Sequence, residues 1–372
     1  MRGPVVITGG GTGGHIFPMQ AVAEQLRAQG CRDDELRYVG SRRGQEATLL
    51  GDGGVALTLL PGRGIRRSLA PRAVVANVGA VAGLLIALVV ATVQVGRWRP
   101  SVVVSLGGYA AFAVSFAAVL WRRPLVLVDF DAVAGSAHRV LGRFATRRCT
   151  TFPSNADGDI VTGVPLREAI VNLDRRAETR DAQLRAWSPP INPDRQVVVV
   201  MTGSLGSATV NRAVSDLAAR WVQREDLALI HVTGRRDFDW VVRARPSGSA
   251  LDYRVEAFAD MSQLWGIADV AICRAGATTI GELTALGIAS ILVPLPGAPG
   301  DHQFHNAEVL ARVGAARLVR DEECTAESLA RTLDDLLEPA RRAAMEVAAR
   351  SLGRHDGAAA IARVVMTLRE TP

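Results

Sequence analysis

The sequence contains no lysine: all 43 of its basic side chains other than histidine are arginine. That absence excludes a Walker phosphate loop, a pyridoxal enzyme and a protein kinase, each of which needs a lysine at a fixed place. Cysteine is scarce as well. Cys31, Cys149, Cys273 and Cys324 are scattered, with no CxxC pair. The pattern excludes a disulfide frame and a cysteine-built structural zinc, and it fits a reducing compartment. No signal peptide is expected, because Met1 runs almost directly into the strand-like Pro4–Thr8. Aromatics are only 5% of the chain and the arginines are spread out, so nucleic acid is not an expected partner.

What is present reads as globular. The 372 residues are 48% hydrophobic and 22% charged, enough for about two domains. The net charge of +6 favours anionic partners such as nucleotides or lipid head groups. Short apolar runs at 4–8, 36–39, 55–60, 101–105 and 125–128 alternate with helical stretches, the first of them at 17–29 with Pro18 near its opening turn. A charged stretch from Asp174 and a proline-rich 187–194 follow, and the pattern then restarts with runs at 196–201, 227–232, 270–273 and 290–294. Such alternation predicts an α/β protein of two doubly wound parallel-sheet, Rossmann-like domains. The expected boundaries are 1–162 for the first domain and 163–353 for the second, with 354–372 crossing back to the first.

One segment is unusual. From Ala73 to Gly96 no residue is charged, with arginines at 66, 67, 72 and 97 on its flanks. Its length suits a bilayer span. It also falls where a crossover helix is needed, so the expectation is a buried helix whose exposed end touches lipid.

Four constellations carry chemistry. The first is Gly9-Gly10-Gly11-Thr12-Gly13-Gly14-His15, a glycine loop between strand and helix that lets backbone amides approach a phosphate. It formally contains GxGxxG, but the second strand ends in Gly40-Ser41-Arg42-Arg43 with no acid for a ribose. That disfavours NAD and leaves an NADP-dependent oxidoreductase open. His15 is a base, a diphosphate contact, or only a helix-end hydrogen-bonder. The second is Thr202-Gly203-Ser204-Leu205-Gly206, with Arg167 available to add charge. The third runs from Cys273 to Glu282, where Thr279 and Glu282 fit a capping box and Glu282 alternatively suits a ribose. The fourth is Asp301-His302-Gln303-Phe304-His305-Asn306, placing Gln303 and Asn306 on one helix face to meet sugar hydroxyls. No carboxylate cluster accompanies its histidines, so no metal is expected.

These four blocks in this order, with the Gly107-Gly108-Tyr109 turn, resemble the MurG family within glycosyltransferase family 28 over nearly the whole chain. The resemblance implies a GT-B fold, two Rossmann-like domains facing a cleft. It implies inverting transfer of N-acetylglucosamine from UDP-N-acetylglucosamine to undecaprenyl-pyrophosphoryl-MurNAc-pentapeptide, the step from lipid I to lipid II in peptidoglycan synthesis. No cofactor is implied, since the sugar nucleotide is a substrate. Ser204 and Gly206 would contact the diphosphate, Glu282 the ribose and Phe258 the uracil. Arg167 would support the nucleotide, and Gln303 and Asn306 would read the sugar. Thr12, Gly13, Gly14 and Asp131 would bind substrate, with His15 and Asp129 as the two bases to choose between and His15 preferred for reach. The implied location is peripheral, on the cytoplasmic face of the membrane, against anionic lipid.

The departures lie on the acceptor side. The family's His-Glu-x-Asn reads Val128-Asp129-Phe130-Asp131 here, its Gly-Asn-Pro reads Gly163-Val164-Pro165, and the Gly-Gly-Tyr turn continues Ala110-Ala111-Phe112. A related transferase with another lipid or antibiotic acceptor, or a nucleotide-sugar binder without turnover, would share these features.

Overall fold

A computed structural model describes residues 3–10, 13–50, 53–62, 71–153, 157–203 and 206–370. The chain divides into two compact units. One holds the residues up to Arg167 together with those from His355 onward; the other is Glu168–Arg354.

The first unit is built on a seven-stranded parallel sheet. Its strands are β1 (Val5–Thr8), β2 (Leu36–Ser41), β3 (Ala56–Leu60), β4 (Val102–Ser105), β5 (Leu125–Asp129), β6 (Arg147–Thr150) and β7 (Asp159–Val161). Their order is β3-β2-β1-β4-β5-β6-β7. β1, β4 and β5 are buried throughout, as strands covered on both faces must be. The order reverses between β1 and β4, and this is where open α/β sheets place ligands, beyond the carboxyl ends of the strands. The Gly13–Ala28 helix begins four residues earlier than the sequence suggests, because the loop's last glycines already take helical conformation. Pro18 therefore lies inside it, one turn past the start, where its missing N–H costs a single hydrogen bond. The Gly357–Glu370 helix packs on this unit. Gln29 Nε2 donates to Ala359 O at 3.4 Å, and Arg369 bonds both Cys31 and Glu35.

The Pro71–Trp98 helix covers one face of the same sheet. Ala80, Ala87, Ala91 and Val95 form its buried stripe, and the last three pack with Val39, Val103, Val114 and Leu127. Small residues there let the helix sit close to the Tyr109–Leu120 helix, and Trp121 Nε1 ties the pair by donating to Thr92 O at 2.9 Å. By length and composition this is the one helix among the described residues that could cross a membrane. Its buried stripe instead makes it a layer of the domain. The expectation that only its end is exposed is corrected: Val81, Leu85, Ile86, Val89 and Val93 are exposed along its outer face between residues 81 and 93.

The second unit has six parallel strands, β8 (Gln196–Met201), β9 (Leu227–Val232), β10 (Asp252–Glu256), β11 (Val270–Cys273), β12 (Ala289–Leu292) and β13 (Arg317–Leu318). Their order, β10-β9-β8-β11-β12-β13, repeats the first unit's logic, with the switch point between β8 and β11. The core joins Val198, Val200, Leu229, Ile272 and Ile291 to Val214 and Leu217 on one helix and Leu329, Leu333 and Leu336 on another. That last helix, Ala326–Leu337, starts at Thr325, whose side chain accepts from Ser328 N at 3.2 Å.

Candidate active site

In the first unit, two loops leave the sheet at the switch point and touch. A Cβ on Gly108 (φ +91°) would lie 2.6 Å from Gly10 O, so only glycine fits there. His15, half-buried in the first turn of the Gly13–Ala28 helix, meets Phe130 edge-on with ring centroids 5.5 Å apart. A Cβ on Gly107 would lie 3.6 Å from His15 Nε2 and 3.9 Å from His138 Cε1, so two histidine rings flank this turn. Gly14 is exposed at the helix start, and Asp131 is half-buried in the loop after β5. Thr12 lies outside the described residues.

His138 was not singled out from the sequence, and it changes the reading of Asp129. Asp129 ends β5 and is 7% exposed. Its Oδ1 lies 2.7 Å from His138 Nδ1, and its Oδ2 accepts from Arg148 Nη2 at 3.3 Å. His138 Nε2 lies 2.9 Å from Ser105 Oγ. A carboxylate only accepts, so Nδ1 carries the proton; in the neutral ring Ser105 then donates to Nε2. The geometry resembles a Ser–His–Asp relay. Ser105, however, is wholly buried, so it is closed to a substrate. Both oxygens of Asp129 are engaged within the unit. Asp129 thus anchors His138 and Arg148, and of the two candidate bases this wiring favours His15.

A second feature hidden in the sequence is Glu46. No acid follows β2 directly, yet the Glu46–Leu50 helix turns its first side chain back so that Oε1 accepts from Ser41 N at 2.9 Å. The buried carboxylate lies where a Cβ on Gly10 would stand, and a Cβ on Gly40 would be 2.6 Å from its Cγ. Glycine at 10 and 40 makes room for this acid. Arg167 belongs to this unit as well: its guanidinium lies 4.2 Å above the Phe17 ring. This cation–π contact places Arg167 beside the glycine loop.

In the second unit, Gly203 (φ +86°) and Gly206 (φ +75°) follow β8, and Gly206 N donates to Gly203 O at 3.0 Å. Ser204 lies outside the described residues. The Ala208–Arg220 helix starts immediately after, capped by Ser207 Oγ, which accepts from Val210 N at 3.3 Å. Its N-terminus adds partial positive charge at this edge. Arg274, in the third constellation but given no role by the sequence, clamps the edge together. It donates to Ser207 Oγ at 2.5 Å, Val293 O at 3.1 Å and Pro294 O at 3.0 Å, and pairs with Asp321 at 2.6 Å.

Glu282 is buried in the Ala277–Leu286 helix. The cap of that helix is Gly276 and Thr279 is its third residue, so the capping box does not form. Instead, the wholly buried Trp265 donates its indole N–H to Glu282 Oε2 at 2.8 Å and fixes the carboxylate. Phe258, just past β10, is 70% exposed, an apolar ring held out at the carboxyl edge of the sheet. Gln303 Oε1 accepts from Leu295 N at 3.0 Å, which orients its amide. Asn306 is wholly buried and donates to Ala275 O at 3.1 Å. The two amides therefore do not act as an exposed pair; Asn306 braces the loop after β11. Among the described residues no group of three or more His, Cys, Asp or Glu is arranged to hold a metal.

Beneath the β8 and β9 loops runs a buried chain of hydrogen bonds. Tyr253 OH bonds His231 Nδ1, His231 Nε2 bonds Asn211 Oδ1, each at 2.9 Å, and Asn211 Nδ2 donates to Asp237 Oδ2 at 2.8 Å. Burial pushes the His231 imidazolium pKa down to about 3. The unfolded chain takes up a proton near pH 6.5, whereas the folded one does so only near 3. Stability is therefore full above about pH 6.5 and falls as the pH drops toward 3. We expect stability from urea unfolding to fall by up to about 1.4 kcal/mol per pH unit in that window from this residue. His231→Gln should flatten that slope; an unchanged slope would contradict the neutral buried ring.

Two doubly wound parallel-sheet units, each carrying a glycine loop at its switch point, define the class: a two-domain nucleotide-binding protein of the GT-B fold. The family model for the glycosyltransferase family 28 N-terminal domain matches residues 5–150, and that for its C-terminal domain matches 197–361. The chain is 39% identical to the UDP-N-acetylglucosamine--N-acetylmuramyl-(pentapeptide) pyrophosphoryl-undecaprenol N-acetylglucosamine transferase of Alkalilimnicola ehrlichii, over 98% of this chain and 99% of that protein. The protein of the same name from Cupriavidus necator is 35% identical, over 99% of each. The crystal structure of Acinetobacter baumannii MurG superposes with a TM-score of 0.77 at 27% identity, covering 98% of this chain and 100% of that one. The chain belongs to glycosyltransferase family 28. It is a glycosyltransferase, and this membership overturns the oxidoreductase alternative.

Proposed function

We infer that this chain transfers N-acetylglucosamine from UDP-N-acetylglucosamine to an undecaprenyl-pyrophosphoryl-MurNAc-pentapeptide, with inversion at the anomeric carbon. The observation that carries the reading is the donor edge of the second unit. There an exposed aromatic ring after β10, a tethered buried carboxylate in the helix after β11 and a glycine loop at a helix N-terminus after β8 lie beyond the carboxyl ends of one sheet, as a nucleoside diphosphate requires. Relatives matched end to end and named for this transfer support the choice of sugar and acceptor.

Phe258 stacks on the uracil, Glu282 accepts from the ribose hydroxyls, and the amides around Gly203 and Gly206, with Ser204, take the diphosphate. Gln303 reads the sugar with its amide nitrogen, since Leu295 holds the oxygen. His15 removes the proton from the acceptor hydroxyl as that oxygen bonds to the anomeric carbon and the bond to UDP breaks. The loop amides and helix N-terminus stabilise the leaving diphosphate. Thr12, Gly13, Gly14 and Asp131 bind the acceptor side, and Arg167 holds Phe17 behind that loop. No cofactor takes part. The test is product analysis with UDP-N-acetylglucosamine and a short-chain lipid acceptor. A β-linked disaccharide supports the reading; a sugar added only to some other lipid assigns the altered Val128–Asp131 segment to a different acceptor.

The enzyme works peripherally on the cytoplasmic face of the membrane. The support is the exposed face of Val81, Leu85, Ile86, Val89 and Val93, beside exposed Phe116, Leu120 and Trp121 on the packed neighbour, with exposed Arg97, Arg99 and Arg122 nearby. Such a face buries apolar area in the acyl boundary while arginines meet anionic head groups. The triple variant L85D/V89D/V93D should lose at least about a hundredfold in affinity for anionic vesicles, while UDP binding is kept. Vesicle binding equal to the parent would contradict this placement.

A further inference from the structure

The loop after β9 forms one wall of the glycine loop after β8. A Cβ on Gly234 would lie 2.6 Å from Gly206 N, and one on Gly206 would lie 2.7 Å from Thr233 O, 3.1 Å from Asp237 Oδ2 and 3.7 Å from Arg236 Nη2. Two glycines at positive φ thus let the loops touch, and the touching brings a carboxylate and a guanidinium against the diphosphate loop. Asp237 is buried and anchored from below by Asn211, itself held by His231. A fixed carboxylate there would repel a diphosphate unless its charge were covered. Arg236 covers it: Nε and Nη2 donate to the two oxygens of Asp237, each at 2.8 Å. That fork uses two of the five guanidinium N–H groups and leaves three donors on a side chain 58% exposed. An ordinary solvated arginine pairs with a mobile partner. This one is aimed by a partner fixed in the core.

We propose that Arg236 contacts the diphosphate of the bound sugar nucleotide, oriented by Asp237. The proposal rests on the donor reading above and deepens it, adding a residue that none of the four sequence constellations contains. Arg236 has two effects at once. It supplies charge-assisted hydrogen bonds to phosphate oxygens, and it cancels the carboxylate that would otherwise face them. Its loss should weaken ligands in proportion to their phosphate content and leave the nucleoside contacts alone.

The experiment is calorimetric titration of the full chain with UDP and with uridine, for the parent, Arg236→Gln, Arg236→Lys and Arg243→Gln. Arg243 is an exposed arginine at the end of the next helix and controls for net charge. Arg236→Gln should lose about 10–100-fold in UDP affinity, with uridine affinity unchanged and the melting temperature held. Arg236→Lys should recover part of the loss, keeping the charge without the fork. Arg243→Gln should bind UDP like the parent. The proposal is overturned if Arg236→Gln binds UDP like the parent, if it loses UDP and uridine equally, or if Arg243→Gln loses as much. A parent chain that binds no UDP overturns the donor reading itself, and the proposal with it.

Discussion

Replacing His15 by alanine is expected to lower kcat by about 10²–10⁴-fold, the usual contribution of a positioned general base, with little change in UDP affinity. His15 stands in the first turn of the helix after the first glycine loop, half-buried, its ring against Phe130 and beside the Gly107 turn. Its surroundings are the first unit's switch point, whereas the donor residues belong to the second unit. A base acts on the acceptor in the transition state, so its loss should appear in turnover and not in nucleotide binding. Steady-state kinetics with varied donor and acceptor check this. A kcat within a few-fold of the parent would remove His15 from the chemistry.

The second large effect is on stability. Asp129→Ala should destabilise the first unit by about 3–5 kcal/mol, because it leaves Arg148 and the buried His138 without their shared carboxylate. In a unit of this size that lowers the melting temperature by roughly 10 °C. At a temperature where the variant stays folded, turnover should fall by less than about tenfold, well under the range for a lost base. Thermal melts paired with low-temperature kinetics separate the two roles. A stable Asp129→Ala protein with turnover reduced a thousandfold would return Asp129 to the position of base. The contrast with His15 matters because both residues end up near the same turn and only the wiring tells them apart.

That wiring was out of reach of the sequence for a definite reason. Buried parallel strands read as apolar runs, so β8 and β11 were legible residue by residue and β1 and β4 to within one residue, and the glycines after them marked the phosphate loops. Edge strands are different. β13 is two residues long and β7 three, too short to show any period, and neither was predicted. Ser105 and His138 are 33 residues apart in the chain, and Glu46 reaches a glycine 36 positions before it. These pairs meet only because the strand order brings them together. Ser105 pairs in register with Leu127, and Asp129 lies two residues further along the same face of β5. The Arg236–Asp237 fork hid in plain view, since an Arg-Arg-Asp run reads as a solvated loop until the fold shows that Asp237 is buried. Asn306 failed in the other direction. Its three-residue spacing from Gln303 was real, but burial turned one of the two amides inward to the Ala275 carbonyl.

Transfer of a sugar from a UDP-sugar onto a lipid-linked acceptor releases one UDP for each sugar moved. The most direct measurement is UDP release by the purified full-length chain with UDP-N-acetylglucosamine, with and without a short-chain polyprenyl-pyrophosphoryl-muramyl-pentapeptide. UDP release should need both substrates and stay at background with either alone. UDP release at the same rate without acceptor, or none with both despite a folded chain, would contradict that transfer.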